Sequence, residues 1–181
     1  IDIADELIIR FPDGLPGFDG HTYALIHSDE NPNVNWLQSA TDPDVAVILM
    51  DPTLLRPDYS INPRPEELKV INASENFEEK VVVRVIIRAS EKPDELYLNL
   101  FAPLLFNVGE RLGMQLALVG SDYTIRETVQ LNPPSSNQGL SRIILARATT
   151  SLGVTTPARF RPVSHSIKTH TGLSASRPAS A

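Results

Sequence analysis

From Val81 to Arg88 the chain alternates, with Val81, Val83, Val85 and Ile87 in one phase and Val82, Arg84, Ile86 and Arg88 in the other. A side-chain repeat of two is the mark of a β-strand, because successive residues project to opposite faces. The first set is expected to point inward and both arginines to face water. Leu96, Leu98 and Leu100 repeat the pattern, with Tyr97, Asn99 and Phe101 on the opposite face, and Met114, Leu116 and Leu118 do so again. Shorter apolar runs at Ile8-Ile9, Tyr23 to Ile26 and Val34 to Leu37 are bounded by Gly, Pro, Asn and Asp, the punctuation of strand ends. Val45 to Met50 is continuously apolar, too short for a helix of ordinary length, and reads as a strand covered on both faces. One short helix is expected over Pro65 to Ile71, where proline stands in the first turn with Glu66 and Glu67 beside the positive helix end. Many short strands, ten prolines within residues 1–131 and little helix predict a mostly β domain, a small antiparallel barrel or sandwich.

Charge divides the chain at about residue 131. Residues 1–131 hold all 22 acidic groups and ten of the 16 Lys and Arg, a net of −12. Residues 132–181 hold six bases (Arg142, Arg147, Arg159, Arg161, Lys168 and Arg177) and no acid. Nine Ser, six Thr and five Pro accompany a single aromatic, Phe160, in that tail. Such a composition buries too little apolar area to offset chain entropy, so a disordered tail is expected after a folded domain of residues 1–131. Leu140, Ile143, Ile144 and Arg147 are spaced to form a short amphipathic helix on contact with a surface. A flexible chain of this length has an end-to-end distance of about 40 Å, against a diameter of about 36 Å for the body. The basic tail can therefore fold back on the acidic domain that carries it.

An anionic body repels phosphate backbones and attracts basic proteins, which excludes direct nucleic-acid binding and favours a protein partner. The chain has no cysteine, so disulfides and thiolate metal sites are excluded. The opening residues Ile1 to Glu6 lack the basic and apolar regions of a signal peptide, and no apolar run approaches the roughly 20 residues of a membrane span. A cytoplasmic protein without membrane contact is expected.

The residues offer little for catalysis. His21 and His27 are an even number of residues apart, with Asp19 in phase, but a metal centre needs further ligands, and two surface imidazoles beside a turn is the plainer reading. In Phe11 to Gly20 the glycines are three apart, Pro16 lacks a donor, and Asp13 and Asp19 would repel an anion, so this is a tight turn and not a phosphate cradle. Phe11, Leu15 and Phe18 are expected to be partly exposed there, forming an apolar contact loop. There is no G-x-S-x-G elbow, and the scattered carboxylates define no acid–base pair. No catalytic, cofactor-binding or metal-binding residue is assigned. Trp36 reads as core more than contact. Gln38 and Asn99, polar groups within apolar strands, read as hydrogen-bonded pins, and Pro103 marks a strand edge or bend. Partner binding is placed on Leu15 and Phe18 of the loop and on the acidic stretches with Asp42, Asp44, Asp58 and Tyr59.

Several segments, taken in order, resemble the FliW family of flagellar assembly factors. Gly14-Leu15-Pro16-Gly17-Phe18 resembles its opening signature. Trp36-Leu37-Gln38-Ser39 and Asp42-Pro43-Asp44 resemble its L-Q-S and D-P segments, and Asp51-Pro52 with Asp58-Tyr59 the next block. Asn99-Leu100-Phe101-Ala102-Pro103 through Asn107 resembles its N-L-x-A-P block, and Gly113-Met114-Gln115 with Tyr123 completes the series. The family usually stops soon after this point, so the basic tail is an addition to the pattern. The resemblance implies a compact β-barrel-like fold and two partners, flagellin and the RNA-binding translational regulator CsrA. A FliW-like protein binds CsrA and relieves its repression of flagellin mRNA, while free flagellin competes for it. A flagellin chaperone that never meets CsrA is the alternative. Within the motifs, Gly14, Pro16, Gly17, Trp36, Gln38, Ser39, Asp51, Pro52, Asn99, Ala102, Pro103 and Gln115 are expected to serve the fold.

Overall fold

The computed structural model describes residues 8–28, 31, 33–92 and 94–130. The tail expected to be disordered, with the contact helix expected over Leu140 to Ala148, lies outside the described residues. Among the described residues nine strands form one sheet: β1 (Ile8–Arg10), β2 (Thr22–His27), β3 (Val34–Ser39), β4 (Ala46–Met50), β5 (Val81–Ala89), β6 (Glu95–Leu98), β7 (Leu104–Asn107), β8 (Leu112–Gln115) and β9 (Glu127–Gln130). Seven of them, β1-β2-β3-β4-β5-β7-β8, close into a barrel. All barrel pairings are antiparallel except the closing seam, where β1 meets β8 in parallel through Arg10 and Leu112.

The nine residues of β5 make closure possible. On one side Val85 to Ile87 pair with β4; on the other, Val81 to Arg84 pair with β7 and Ile87 to Ala89 with β6. The strand that alternates most regularly in the sequence is thus the hub of the sheet. β6 and then β9 extend from it as a flap outside the ring. β7 and β9 are the strands that periodicity did not reveal. β7, Leu104 to Asn107, is buried at every position and shows no alternation, whereas β9, Glu127 to Gln130, has only Val129 as an apolar residue.

Three apolar clusters result. Ile9, Tyr23, Leu25, Leu37, Leu49, Leu104 and Phe106 fill the barrel together with Phe11 and Leu15 from the β1–β2 loop. On the outside, Val34, Met50, Val85, Ile87, Leu96 and Leu98 are covered by Tyr59 and Leu100. A third cluster joins Leu105, Leu112 and Leu116 to Leu68, Ile71 and Ala73. Phe11 has no exposed surface and stands edge-on to Tyr23 and Phe106, with ring centroids 5.3 and 5.9 Å away. It touches the barrel wall at Gly113, where an added Cβ would lie 2.7 Å from the ring.

The structure changes three expectations. Phe11 and Leu15 are not exposed: the loop folds inward and plugs the barrel mouth, leaving Leu15 only 3% accessible and Phe18 half-buried. Burial of two large apolar side chains outweighs the cost of ordering the loop. Arg84 does not face open water, because its phase points toward one end of the barrel. There its Nε donates to Asn35 Oδ1 at 3.0 Å, its Nη1 donates to the Val83 carbonyl at 2.8 Å, and Asp51 lies 3.5 Å from Nη1. Burial lowers its pKa below the ordinary arginine value, and Asp51 opposes that shift. Arg88, two repeats further on, is exposed as expected. Finally, the helix expected at Pro65 to Ile71 is a 3₁₀ turn over Glu67–Ile71. Asn72 adopts left-handed geometry (φ 56°) and ends it, and Asn76 (φ 59°) precedes the single α-helical turn among the described residues, α1 (Phe77–Lys80). Two left-handed residues this close leave no room for a longer helix.

Candidate partner-binding surface

The loop between β1 and β2 is built from two consecutive tight turns. Gly14 N–H donates to the Phe11 carbonyl at 3.0 Å, and Phe18 N–H to the Leu15 carbonyl at 3.0 Å. Gly14 and Gly17 sit at φ 74° and 87°, backbone that a β-carbon disfavours. His21 Nδ1 donates to the Phe11 carbonyl at 2.8 Å and ties the far end of the loop to its start. Apolar side chains go down into the barrel while Asp13, Pro16, Gly17 and Asp19 stay on the surface.

The β3–β4 loop lies beside it. Gln38 is the pin: its Nε2 reaches the carbonyls of Asp42, Pro43 and Val45 at 3.2, 3.2 and 2.9 Å. Ser39 Oγ accepts from the Thr41 and Asp42 N–H groups, and Asp42 Oδ1 accepts from Asp44 N–H. A Cβ on Gly20 would lie 3.5 Å from Thr41 Oγ1, so the two loops are in near contact. The antiparallel register puts the β5–β6 turn at this same end, because Ile48 pairs with Ile87 and the start of β4 therefore lies by the end of β5. Three loops remote in sequence thus converge. They present Asp13, Asp19, Asp42, Asp44, Glu91 and Asp94, all exposed. The same loops carry one base, Lys92, which is 2.7 Å from Glu95.

The expected partner residues separate into two groups. Leu15, Phe18, Asp42 and Asp44 belong to this acidic end, with Leu15 buried beneath it. Asp58 and Tyr59 lie in the segment that covers the outer cluster. Arg56 binds Asp58 through Nε and Nη2 at 3.2 and 3.3 Å and also pairs with Glu127. The hydrogen bond from Arg56 holds the Asp58 carboxyl below its usual range. Tyr59 is 7% accessible, donates its hydroxyl to the Leu100 carbonyl at 2.9 Å and packs on Tyr123 at 4.7 Å. Burial, with Tyr123 beside it, pushes its phenol pKa up.

The remaining motif residues make hydrogen bonds or turns. Asp51 Oδ1 accepts from Thr53 N–H and Oγ1–H, capping the 3₁₀ turn that starts at buried Pro52. Asn99 Oδ1 accepts from Ala102 N–H at 3.0 Å, Gln115 Nε2 donates to the Ala102 carbonyl at 3.0 Å, and the Pro103 carbonyl accepts from Leu116 N–H. Trp36 is half-buried on the outer face of β3. The sequence assigned no partner to Asn35, Arg84, Asn107 or Gly113, each of which has one set only by strand register. Asn107 Nδ2, for instance, donates to the Ile71 carbonyl at 2.9 Å.

His21 precedes β2 and His27 is its last residue, so they serve opposite ends, His27 Nδ1 accepting from Asn35 Nδ2 at 2.8 Å. Among the described residues no group of three or more His, Cys, Asp or Glu side chains is placed to hold a metal ion. Two open hollows lie among the described residues. One of about 440 Å³ lies over the β1–β2 loop, and one of about 640 Å³ lies at the β1–β8 seam beside Arg10, Glu110 and Arg111. Among the described residues no helix is long and apolar enough to cross a membrane.

Known proteins agree with this architecture. The family model described as FliW protein matches residues 1–129. The flagellar assembly factor FliW of Thermotoga petrophila is 35% identical over 127 residues, 70% of this chain and 85% of that protein. The FliW of Alkaliphilus metalliredigens is 35% identical over 144 residues, 76% of this chain and 88% of its own length. A crystal structure of the flagellar assembly factor FliW superimposes with a TM-score of 0.65 at 29% identity, covering 75% of this chain and 92% of the other. With its motifs in order on a closed seven-strand barrel, the chain belongs to the FliW family of flagellar assembly factors.

Proposed function

We propose that this flagellar assembly factor acts in the cytoplasm as a non-enzymatic partner switch. It binds CsrA and relieves CsrA's repression of flagellin mRNA, and flagellin displaces CsrA from it, coupling flagellin synthesis to filament assembly. The observation that carries this reading is the acidic end of the barrel, where six exposed carboxylates face outward with one paired lysine. An RNA-binding regulator is basic where it grips RNA. A surface of this charge steers such a partner in and, once docked beside the RNA groove, repels the phosphate backbone. Inhibition then needs no mimicry of RNA. The same charge argues against direct nucleic-acid binding by this chain.

Titration of the protein into CsrA bound to a flagellin leader RNA tests the reading. RNA is expected to be released, with an efficiency that falls as salt rises. Unchanged RNA binding at saturating protein rejects CsrA as the partner. A chaperone restricted to flagellin predicts recovery of flagellin and never of CsrA in a pull-down. Burial of Phe11 and Leu15 removes part of the apolar loop that this second reading relied on.

A further inference from the structure

The loop that plugs the barrel carries a reactive pair that the fold does not use. Of the aspartates and asparagines in the chain, only Asp13 and Asp19 are followed by glycine. An aspartyl–glycine bond can close on itself, because a residue without a β-carbon lets its amide nitrogen approach the preceding carboxyl. Both aspartates are exposed, and the open hollow of about 440 Å³ admits water to this loop. In sequence the two pairs are equivalent, but in the structure they differ. Asp13 sits inside the first tight turn, and the nitrogen that would have to attack, Gly14 N, donates to the Phe11 carbonyl at 3.0 Å. The His21 ring stands over the same glycine, 3.5 Å from where its β-carbon would be. Asp19 sits at a bend after the second turn. Among the described residues Gly20 N–H has no hydrogen-bond partner, whereas the Gly20 carbonyl accepts from the Tyr23 hydroxyl at 3.1 Å.

We propose that Asp19–Gly20 is a site of spontaneous isoaspartyl conversion, and that the fold protects Asp13–Gly14 from the same reaction. Gly20 N attacks Cγ of the Asp19 carboxyl in its protonated form. The N–Cγ bond forms, a C–O bond breaks, and the amide proton leaves with the hydroxyl as water, giving a cyclic succinimide. Water then opens the ring at either carbonyl. Addition at Cγ breaks the N–Cγ bond and restores aspartate. Addition at the main-chain carbonyl breaks its bond to Gly20 N and leaves the chain running through Cβ and Cγ, with the carboxylate on Cα. Water is lost and regained, so the mass is unchanged. The product lengthens the main chain where the loop joins β2, next to the 2.7 Å bond from Phe11 N–H to the His21 carbonyl. It slackens the tether that holds Phe11 and Leu15 in the barrel and moves one carboxylate of the acidic end. At Asp13 the Gly14 hydrogen bond must break first, which slows the reaction about threefold to tenfold.

The test is to age the full-length protein in heavy-oxygen water and digest it with a protease that cuts before aspartate and not before isoaspartate. Heavy oxygen and resistance to cleavage are expected to accumulate at Asp19 at least about threefold faster than at Asp13. In guanidinium, where the Gly14 bond is gone, the two rates are expected to converge. Gly20→Ala is expected to suppress the product at Asp19 without moving the unfolding midpoint. Its β-carbon would meet Thr41 Oγ1 and Tyr23 Oη at an ordinary 3.5 Å, and Gly20 is not among the glycines with positive φ. Labelling at Asp13 that equals or outruns Asp19 in the folded protein overturns the assignment. So does a folded protein whose Asp19 stays unlabelled while the unfolded chain labels at both sites. The conversion is a property of this chain alone, so its test is independent of whether CsrA or flagellin binds.

Discussion

Gly113→Ala tests whether the β1–β2 loop is the plug that holds the barrel together. The new methyl carbon would stand 2.7, 2.9 and 3.0 Å from Cζ, Cε2 and Cε1 of Phe11. Carbon atoms in good contact are about 3.5–4.0 Å apart, so ring and strand must separate by nearly 1 Å. The ring has nowhere to go: it is fully buried and wedged edge-on between Tyr23 and Phe106. Overpacking of this kind costs about 1–3 kcal/mol, and the three simultaneous close contacts argue for the upper half of that range. For a domain of this size the loss lowers Tm by roughly 5–9 °C. Urea unfolding followed by Trp36 fluorescence measures it. Phe11→Leu, which removes the clashing ring atoms, is expected to be destabilising alone and to recover at least about 1 kcal/mol when combined with Gly113→Ala. Stability of Gly113→Ala within about 0.5 kcal/mol of the parent, or strict additivity of the two changes, refutes the plug.

Further outcomes follow from the same geometry. Asp42→Lys with Asp44→Lys is expected to weaken CsrA binding roughly tenfold at low salt and to flatten its salt dependence, since two rim charges change sign. An unchanged circular dichroism spectrum controls for the fold. Gln38→Leu frees the carbonyls of Asp42, Pro43 and Val45 from their shared donor and should destabilise the domain by about 1–3 kcal/mol, with faster hydrogen exchange in the β3–β4 loop. Tyr59→Phe leaves the buried Leu100 carbonyl without its hydroxyl partner and is expected to cost about 1 kcal/mol in urea unfolding. Hydrogen bonds from Lys92, Gln130 and Ser90, led by Lys92, lower the Glu95 carboxyl in the folded state. Its contribution is therefore present above the ordinary carboxylate pKa of about 4.3 and fades as pH falls through the lower folded value. Glu95→Gln should reduce the slope of stability against pH in that acid range, and an unchanged slope removes Glu95 from the account.

Period-two patterning at Val81 to Arg88, the apolar runs and their Gly, Pro and Asp boundaries depend on local chain geometry, so the strands β1 to β6 were legible in the amino acids; the alternation of Met114, Leu116 and Leu118 found β8 only in part, since that strand spans Leu112–Gln115 and the chain leaves the sheet after it. The ordered motifs placed the chain in its family for the same reason. β7 stayed hidden because a strand buried on every side has no polar phase to reveal its period, and β9 because it is held by pairing with β6 and has little apolar surface of its own. At Glu67–Ile71 the sequence marks a short helix but not its 3₁₀ type, because proline and acids mark the start of α and 3₁₀ helices alike.

The sequence by itself determined that this is a β domain with an acidic body, a basic tail and no cysteine chemistry. Those are properties of composition and of contacts a few residues long. Only the tertiary structure decided which phase of each strand faces the lumen, and so why Phe11 and Leu15 lie inside and why Arg84 meets Asn35. It also gathered Asp13, Asp42 and Asp94 at one end. Antiparallel closure brings alternate loops of the ring to the same rim, a consequence of pairing partners far apart in the chain that no local pattern encodes.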